Sequence, residues 1–150
     1  MKFENTYTII MILALLVVAG CSNNSKSSIL DSAVVDTDKN PNKVIVYFFF
    51  GEGCPHCSAE KPYLQEWAEK YPEIEVKYFE TWSNKENAAL FQEVAGIYGI
   101  QARGVPTTFI GEKNWVGFSS SMAPEIENYI KDCVENGCES PLDDFEQRLN

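Results

Sequence analysis

The sequence predicts one α/β domain built on a mixed β-sheet. Three observations carry that prediction. The apolar patterns between residues 43 and 138 follow the order β-α-β-α-β-β-α. The first half is strand, helix, strand, which in one sheet requires a right-handed parallel crossover. The second half holds two short strands around a glycine-led turn, the pattern of an antiparallel hairpin. A length of 150 residues suits a single domain of ordinary size.

Each element has its own justification. Lys43–Phe50, KVIVYFFF, is β-branched and aromatic throughout and reads as a buried central strand. Gly51-Glu52-Gly53 breaks it. From Cys57 to about Tyr71, the residues Tyr63, Leu64, Trp67, Ala68 and Tyr71 recur at helical spacing, and Tyr71-Pro72 ends that helix. Ile74–Phe79 alternates as a second strand. Ser83 with Glu86 forms a capping box for a helix running to about Tyr98, which Gly99 stops. Thr107–Ile110 and Trp115–Phe118 are the hairpin strands around Gly111–Asn114. The last helix starts near Pro124 and buries Ile126, Tyr129, Ile130, Cys133 and Val134; Asn136-Gly137 closes it. Trp67 and Trp82 read as packing residues rather than substrate contacts, and the acidic tail 139–150 as solvated surface.

Composition narrows the function. Lys and Arg number 12 against 22 Asp and Glu, a net charge of −10 that argues against nucleic acid as a partner. A hydrophobic content of 45% excludes a wholly disordered chain. One histidine excludes any site that needs two imidazoles.

Residues 1–20 read as a signal peptide. The apolar run from Ile9 to Val18 is too short to span a bilayer, which takes about 20 residues, and fits an h-region of about 7–15. Val18-Ala19-Gly20-Cys21 resembles the lipobox of prokaryotic lipoproteins, which implies lipidation of Cys21. An uncleaved anchor with a chance cysteine is the alternative. Both place the domain outside the cytoplasm, at the membrane surface. Residues 21–42 then comprise the lipidated cysteine and a Ser/Asn/Asp-rich tether. As a random coil the tether reaches about 25 Å, at roughly 5–6 Å times the square root of its length. A short added strand or helix at Ile29-Leu30 or Val34-Val35 is the competing reading.

Five cysteines are an odd count, and lipidation of Cys21 leaves two close pairs, Cys54/Cys57 and Cys133/Cys138. A zinc site made of all four is the rival reading; the four-residue gap in the second pair and its distance along the chain oppose it. On its own Cys133 reads as a buried thiol on an apolar helix face. With Cys138 after a turn, in an oxidising compartment, a structural disulfide is favoured over a second redox centre.

Cys54-Pro55-His56-Cys57 lies between a buried strand and a helix. At the helix start, unpaired backbone N–H groups face the Cys54 sulfur and favour its thiolate, the species that attacks disulfides. Pro55 fixes the turn. A protonated His56 would add positive charge beside the thiolate. Cys57, one turn in and more buried, would resolve the mixed disulfide that Cys54 forms.

These residues resemble the thioredoxin-like superfamily, in which Cys-Pro-His-Cys is common among periplasmic disulfide oxidoreductases. Pro62 matches the proline inside the family's active-site helix, and Val105-Pro106-Thr107 its cis-proline loop. Gly117 matches the small residue of its last strand. The resemblance covers about Lys43 to Val134. It implies a three-layer α/β/α domain with a central mixed sheet of about four strands, over residues 43–138. It further implies substrate binding at Val105, Pro106 and Thr107. Two departures stand out. The position of the family's buried strand acid is Phe48, with only Glu52, expected exposed, nearby; and Gly53 replaces the aromatic residue that usually precedes the motif.

The expected activity is therefore thiol–disulfide exchange with protein thiols or disulfides outside the cytoplasm. The catalytic residues would be Cys54, Cys57, His56 and Pro55. No metal or cofactor beyond the Cys54–Cys57 disulfide is expected, and the molecule is expected to act as a lipid-anchored monomer with a membrane redox partner. The alternatives are a non-catalytic binding module and an electron relay to a cytochrome-maturation or membrane redox system.

Overall fold

The computed structural model describes residues 43–143 and residue 145. The expected signal peptide, Cys21 and the tether lie outside the described residues. Seven elements follow in order: β1 (Val44–Phe50), α1 (Pro55–Lys70), β2 (Ile74–Glu80), α2 (Lys85–Ile97), β3 (Thr107–Ile110), β4 (Lys113–Val116) and α3 (Ala123–Asn136). The four strands form one sheet in the order β2-β1-β3-β4. β2 runs parallel to β1, in register from Val44↔Ile74 to Phe50↔Glu80. β3 is antiparallel to β1, and β4 to β3.

The central strand alternates its side chains between two cores. Val44, Val46, Phe48 and Phe50 face α1 and α3, against Leu64, Trp67, Ile126 and Ile130. Tyr47 and Phe49 face α2, against Phe91, Val94, Ala95 and Phe109. β1 is thus covered on both sides, which is why its apolar run is unbroken. The result is the expected three layers, α/β/α.

Four local expectations are corrected. α1 begins at Pro55 rather than Cys57, so Cys54 is its N-cap. The N-cap of α2 is Asn84, not Ser83. Asn84 Oδ1 accepts from the Glu86 and Asn87 N–H groups at 3.0 and 3.1 Å. Ser83 is unavailable because its hydroxyl donates to Glu80 Oε2 at 2.5 Å. β4 starts at Lys113, two residues earlier than its spacing suggested. Gly111, at φ +52°, lets a two-residue loop reverse the chain, and Gly117 falls beyond the strand. The tail is not simply solvated: Leu142 and Phe145 are buried in the α2-side core. Beyond Gly137 the chain crosses to that side, where the apolar face of the sheet needs a cover that α2 alone does not supply. No helix among the described residues is long and apolar enough to cross a membrane.

Candidate active site

β1 delivers the chain to the C-terminal end of the sheet's central strand, and Gly53 at φ +79° turns it into α1. A side chain at Gly53 would be strained there. Cys54 caps the helix in an extended conformation, its Sγ accepting the Cys57 N–H at 3.2 Å. Cys54 and Cys57 form a disulfide with Cα atoms 5.3 Å apart. Cys54 is 4% exposed and Cys57 1%. The outer sulfur is therefore recessed within a rim of exposed Glu52, Gly53, Pro55 and His56. No acidic side chain occupies the first turn of α1. The positive end of the helix dipole thus acts on the sulfur without competition from within the helix.

Across from the disulfide lies the loop entering β3. The Val105–Pro106 peptide bond is cis. Its Val105 carbonyl oxygen is 3.7 Å from Cys54 Sγ. The Pro106 carbonyl accepts the Gly117 N–H at 2.7 Å, tying the loop to the chain after β4. A cis-proline facing a helix-capping disulfide, on a sheet of order β2-β1-β3-β4, decides the architecture. The fold is thioredoxin-like. No family model matches this chain, and no curated protein matches it. Among solved structures it is similar to mitochondrial thioredoxin 3 of Saccharomyces cerevisiae in its oxidised form, at 20% identity and TM-score 0.47 over 61% of this chain and 79% of that one. It is similar to thioredoxin F of spinach chloroplast at 24% identity and TM-score 0.48, over 60% and 72%. It is also similar to a putative thiol:disulfide interchange protein DsbE from Chlorobium tepidum at 18% identity and TM-score 0.49, over 63% and 82%.

Within this thioredoxin-like domain the sequence-predicted residues divide. Cys54, Cys57, Val105 and Pro106 come together. Thr107 is buried, its hydroxyl donating to the Gly104 carbonyl at 2.9 Å. His56 Nδ1 lies 3.1 Å from the Phe118 carbonyl, which can only accept, so Nδ1 carries the proton of that bond. His56 thereby clamps the start of α1 to the chain after β4. Cys133 and Cys138 form the second disulfide, joining the last turn of α3 to the chain that carries Leu142. Among the described residues no cluster of three or more His, Cys, Asp or Glu could hold a metal.

Sequence reasoning missed one residue of the site. Glu52 is exposed, as expected, but Glu60 is a buried acid, 1% exposed. It sits three residues after Cys57 on the buried face of α1, in line with Leu64 and Trp67. Thr108 Oγ1 donates to its Oε1 at 2.5 Å, while its buried Oε2 has no hydrogen-bond partner among the described residues. Thr108 pairs with Phe48 across β1 and β3. The helix thus brings to that layer the acid that the strand lacks. Burial pushes the Glu60 carboxyl up to about 7, against the Thr108 hydrogen bond that lowers it. The signal was available: the spacing 57, 60, 64, 67 places Glu60 on the stripe that Leu64 and Trp67 define.

Trp82 is a correction too. It is 62% exposed rather than packed inside. Its indole lies against Gly51, where a Cβ would come within 2.2 Å of a ring carbon. Glu80 accepts the N–H groups of Trp82, Ser83 and Asn84 and of Glu52, fastening this turn to the loop before Cys54.

Proposed function

We propose that the protein is a thiol–disulfide oxidoreductase acting on protein thiols and disulfides, anchored outside the cytoplasm through a lipid on Cys21. The observation that carries the activity is the Cys54–Cys57 pair at the positive end of α1, with Cys54 Sγ 3.7 Å from the carbonyl that precedes cis-Pro106. In the reductive direction, the Cys54 thiolate attacks one sulfur of a client disulfide. A mixed disulfide forms, and the other client sulfur leaves as a thiolate that takes a proton from water. The Cys57 thiol then gives its proton to the Glu60 carboxylate and attacks Cys54 Sγ. The second client sulfur leaves and is protonated, so two client thiols form as Cys54–Cys57 is oxidised. The oxidative direction is the exact reverse in bonds and electrons. A carboxyl titrating near 7 accepts and returns a proton at neutral pH with little driving force either way. His56 and Pro55 fix the geometry of the turn rather than transfer protons.

The setting rests on the sequence from Ile9 to Cys21 and on a second disulfide, Cys133–Cys138, of the kind that persists in oxidising compartments. A membrane redox partner would return the pair to its starting state. The activity test is dithiothreitol-driven reduction of a two-chain protein disulfide by the full chain, which Cys54→Ser should abolish. Activity surviving in Cys54→Ser would defeat the reading. The anchor test is the mass of the peptide bearing Cys21: an unmodified, uncleaved N-terminus in the membrane fraction would overturn it.

A further inference from the structure

We infer that Trp82 is a specificity residue that receives a large apolar side chain next to the client's reacting cysteine. This rests on the exchange reading above. The indole forms one wall of a groove of about 200 Å³ whose other walls include Thr81, Phe91, Arg103, Gly104 and Val105. That volume suits one side chain rather than a free small-molecule ligand, whose pockets run about 300–1,000 Å³. The groove is continuous with the reacting centre, because Val105 both lines it and holds its carbonyl 3.7 Å from Cys54 Sγ. A client sulfur bonded to Cys54 must lie beside Val105. The next residue of an extended client is about 3.3–3.6 Å further on, and the groove that Val105 and Trp82 both line is the recess offered to its side chain.

The platform is built to stay exposed. Gly51 carries no side chain, so the ring seats directly against its backbone. Glu80 holds the Trp82 N–H at 2.9 Å and the Glu52 N–H at 3.3 Å, so ring and cysteine loop keep a common frame. The Ser83 hydroxyl foremost, then the N–H groups of Ser83, Trp82 and Glu52, hold that carboxylate well below the usual range, at about 2, so it stays ionised in this role. The residue before the motif, Gly53, offers no apolar surface of its own. Trp82, delivered from the β2–α2 turn, supplies it.

The test uses the reduced full chain and three disulfides: oxidised glutathione, and mixed disulfides of glutathione with two pentapeptides that carry Phe or Gly beside the cysteine. Rates are followed by quenched-flow mass spectrometry. The wild type should react about tenfold faster with the Phe peptide than with the Gly peptide, the scale of one apolar side chain in a pocket. Trp82→Ala should bring that ratio near one while its rate with oxidised glutathione stays within about twofold. Trp82→Phe should keep most of the preference. A ratio near one in the wild type, a ratio that survives Trp82→Ala, or an equal fall in the glutathione rate overturns the assignment while the exchange reading stands. No reaction with any of the three overturns the exchange reading and this assignment together.

Discussion

Replacing Glu60 by glutamine isolates the cost of keeping a carboxylate in the core. The carboxyl titrates at about 7 in the folded chain against 4.5 as its ordinary value, because burial penalises the charged form. Below 4.5 both folded and unfolded chains hold the proton. Between 4.5 and about 7 the unfolded chain releases it and the folded chain keeps it, so folding binds a proton and stability falls as pH rises. Above that window the loss is complete. At about 1.4 kcal/mol per pH unit, it amounts to about 3 kcal/mol. Glutamine keeps an oxygen for Thr108 Oγ1 and carries no charge, so Glu60→Gln should lack this dependence. Urea unfolding of both proteins, with disulfides intact, should show the variant gaining about 3 kcal/mol on the wild type between pH 4 and pH 8. All other ionisable groups are common to both proteins and cancel in the difference. A difference flat to within about 0.5 kcal/mol across that range would refute the argument. The same substitution should slow release of the second client sulfur by about 10²-fold or more and leave the first attack by Cys54 unchanged.

Further outcomes follow from the same geometry. In graded dithiothreitol, Cys54–Cys57 should open before Cys133–Cys138, since Cys54 caps the positive end of α1 and Cys133 sits in the last turn of α3, at its negative end. Alkylation mapped by peptide mass would report the order, and the reverse order would count against the role assigned to the helix ends. Leu142→Ala should destabilise the domain by about 2–5 kcal/mol, because its side chain is fully buried against the α2-side core. A loss under about 0.5 kcal/mol would mean that the tail is not part of the fold's core. Cys57→Ser should accumulate a mixed disulfide between Cys54 and a client protein, visible on non-reducing gels; accumulation on Cys54→Ser instead would invert the two sulfurs' roles.

What could be read directly was local. The run from Val44 to Phe50 marks a strand buried on both faces, since only such a strand tolerates apolar residues without alternation. Tyr71-Pro72 and Gly99 mark helix ends through backbone sterics that any context preserves. The Cys54-to-Cys57 spacing, after a strand and before a helix, places a sulfur at a helix N-terminus without further knowledge. Where two short-range options are equivalent, local sequence does not choose between them. Ser83 and Asn84 cap equally well in sequence; a carboxylate from the end of β2 chose between them by occupying Ser83.

The amino-acid order by itself determined the element sequence, the strand that is buried on both sides and the place of the Cys54–Cys57 pair at a helix start, because these depend on periodicity and on dihedral limits of single residues. The tertiary structure alone decided that Glu60 is a buried acid held by Thr108, that Trp82 faces solvent against Gly51, and that Leu142 and Phe145 close the core on the α2 side. Each of those depends on which surface arrives from a distant part of the chain. Desolvation and packing are properties of that arrival, and no local pattern carries them.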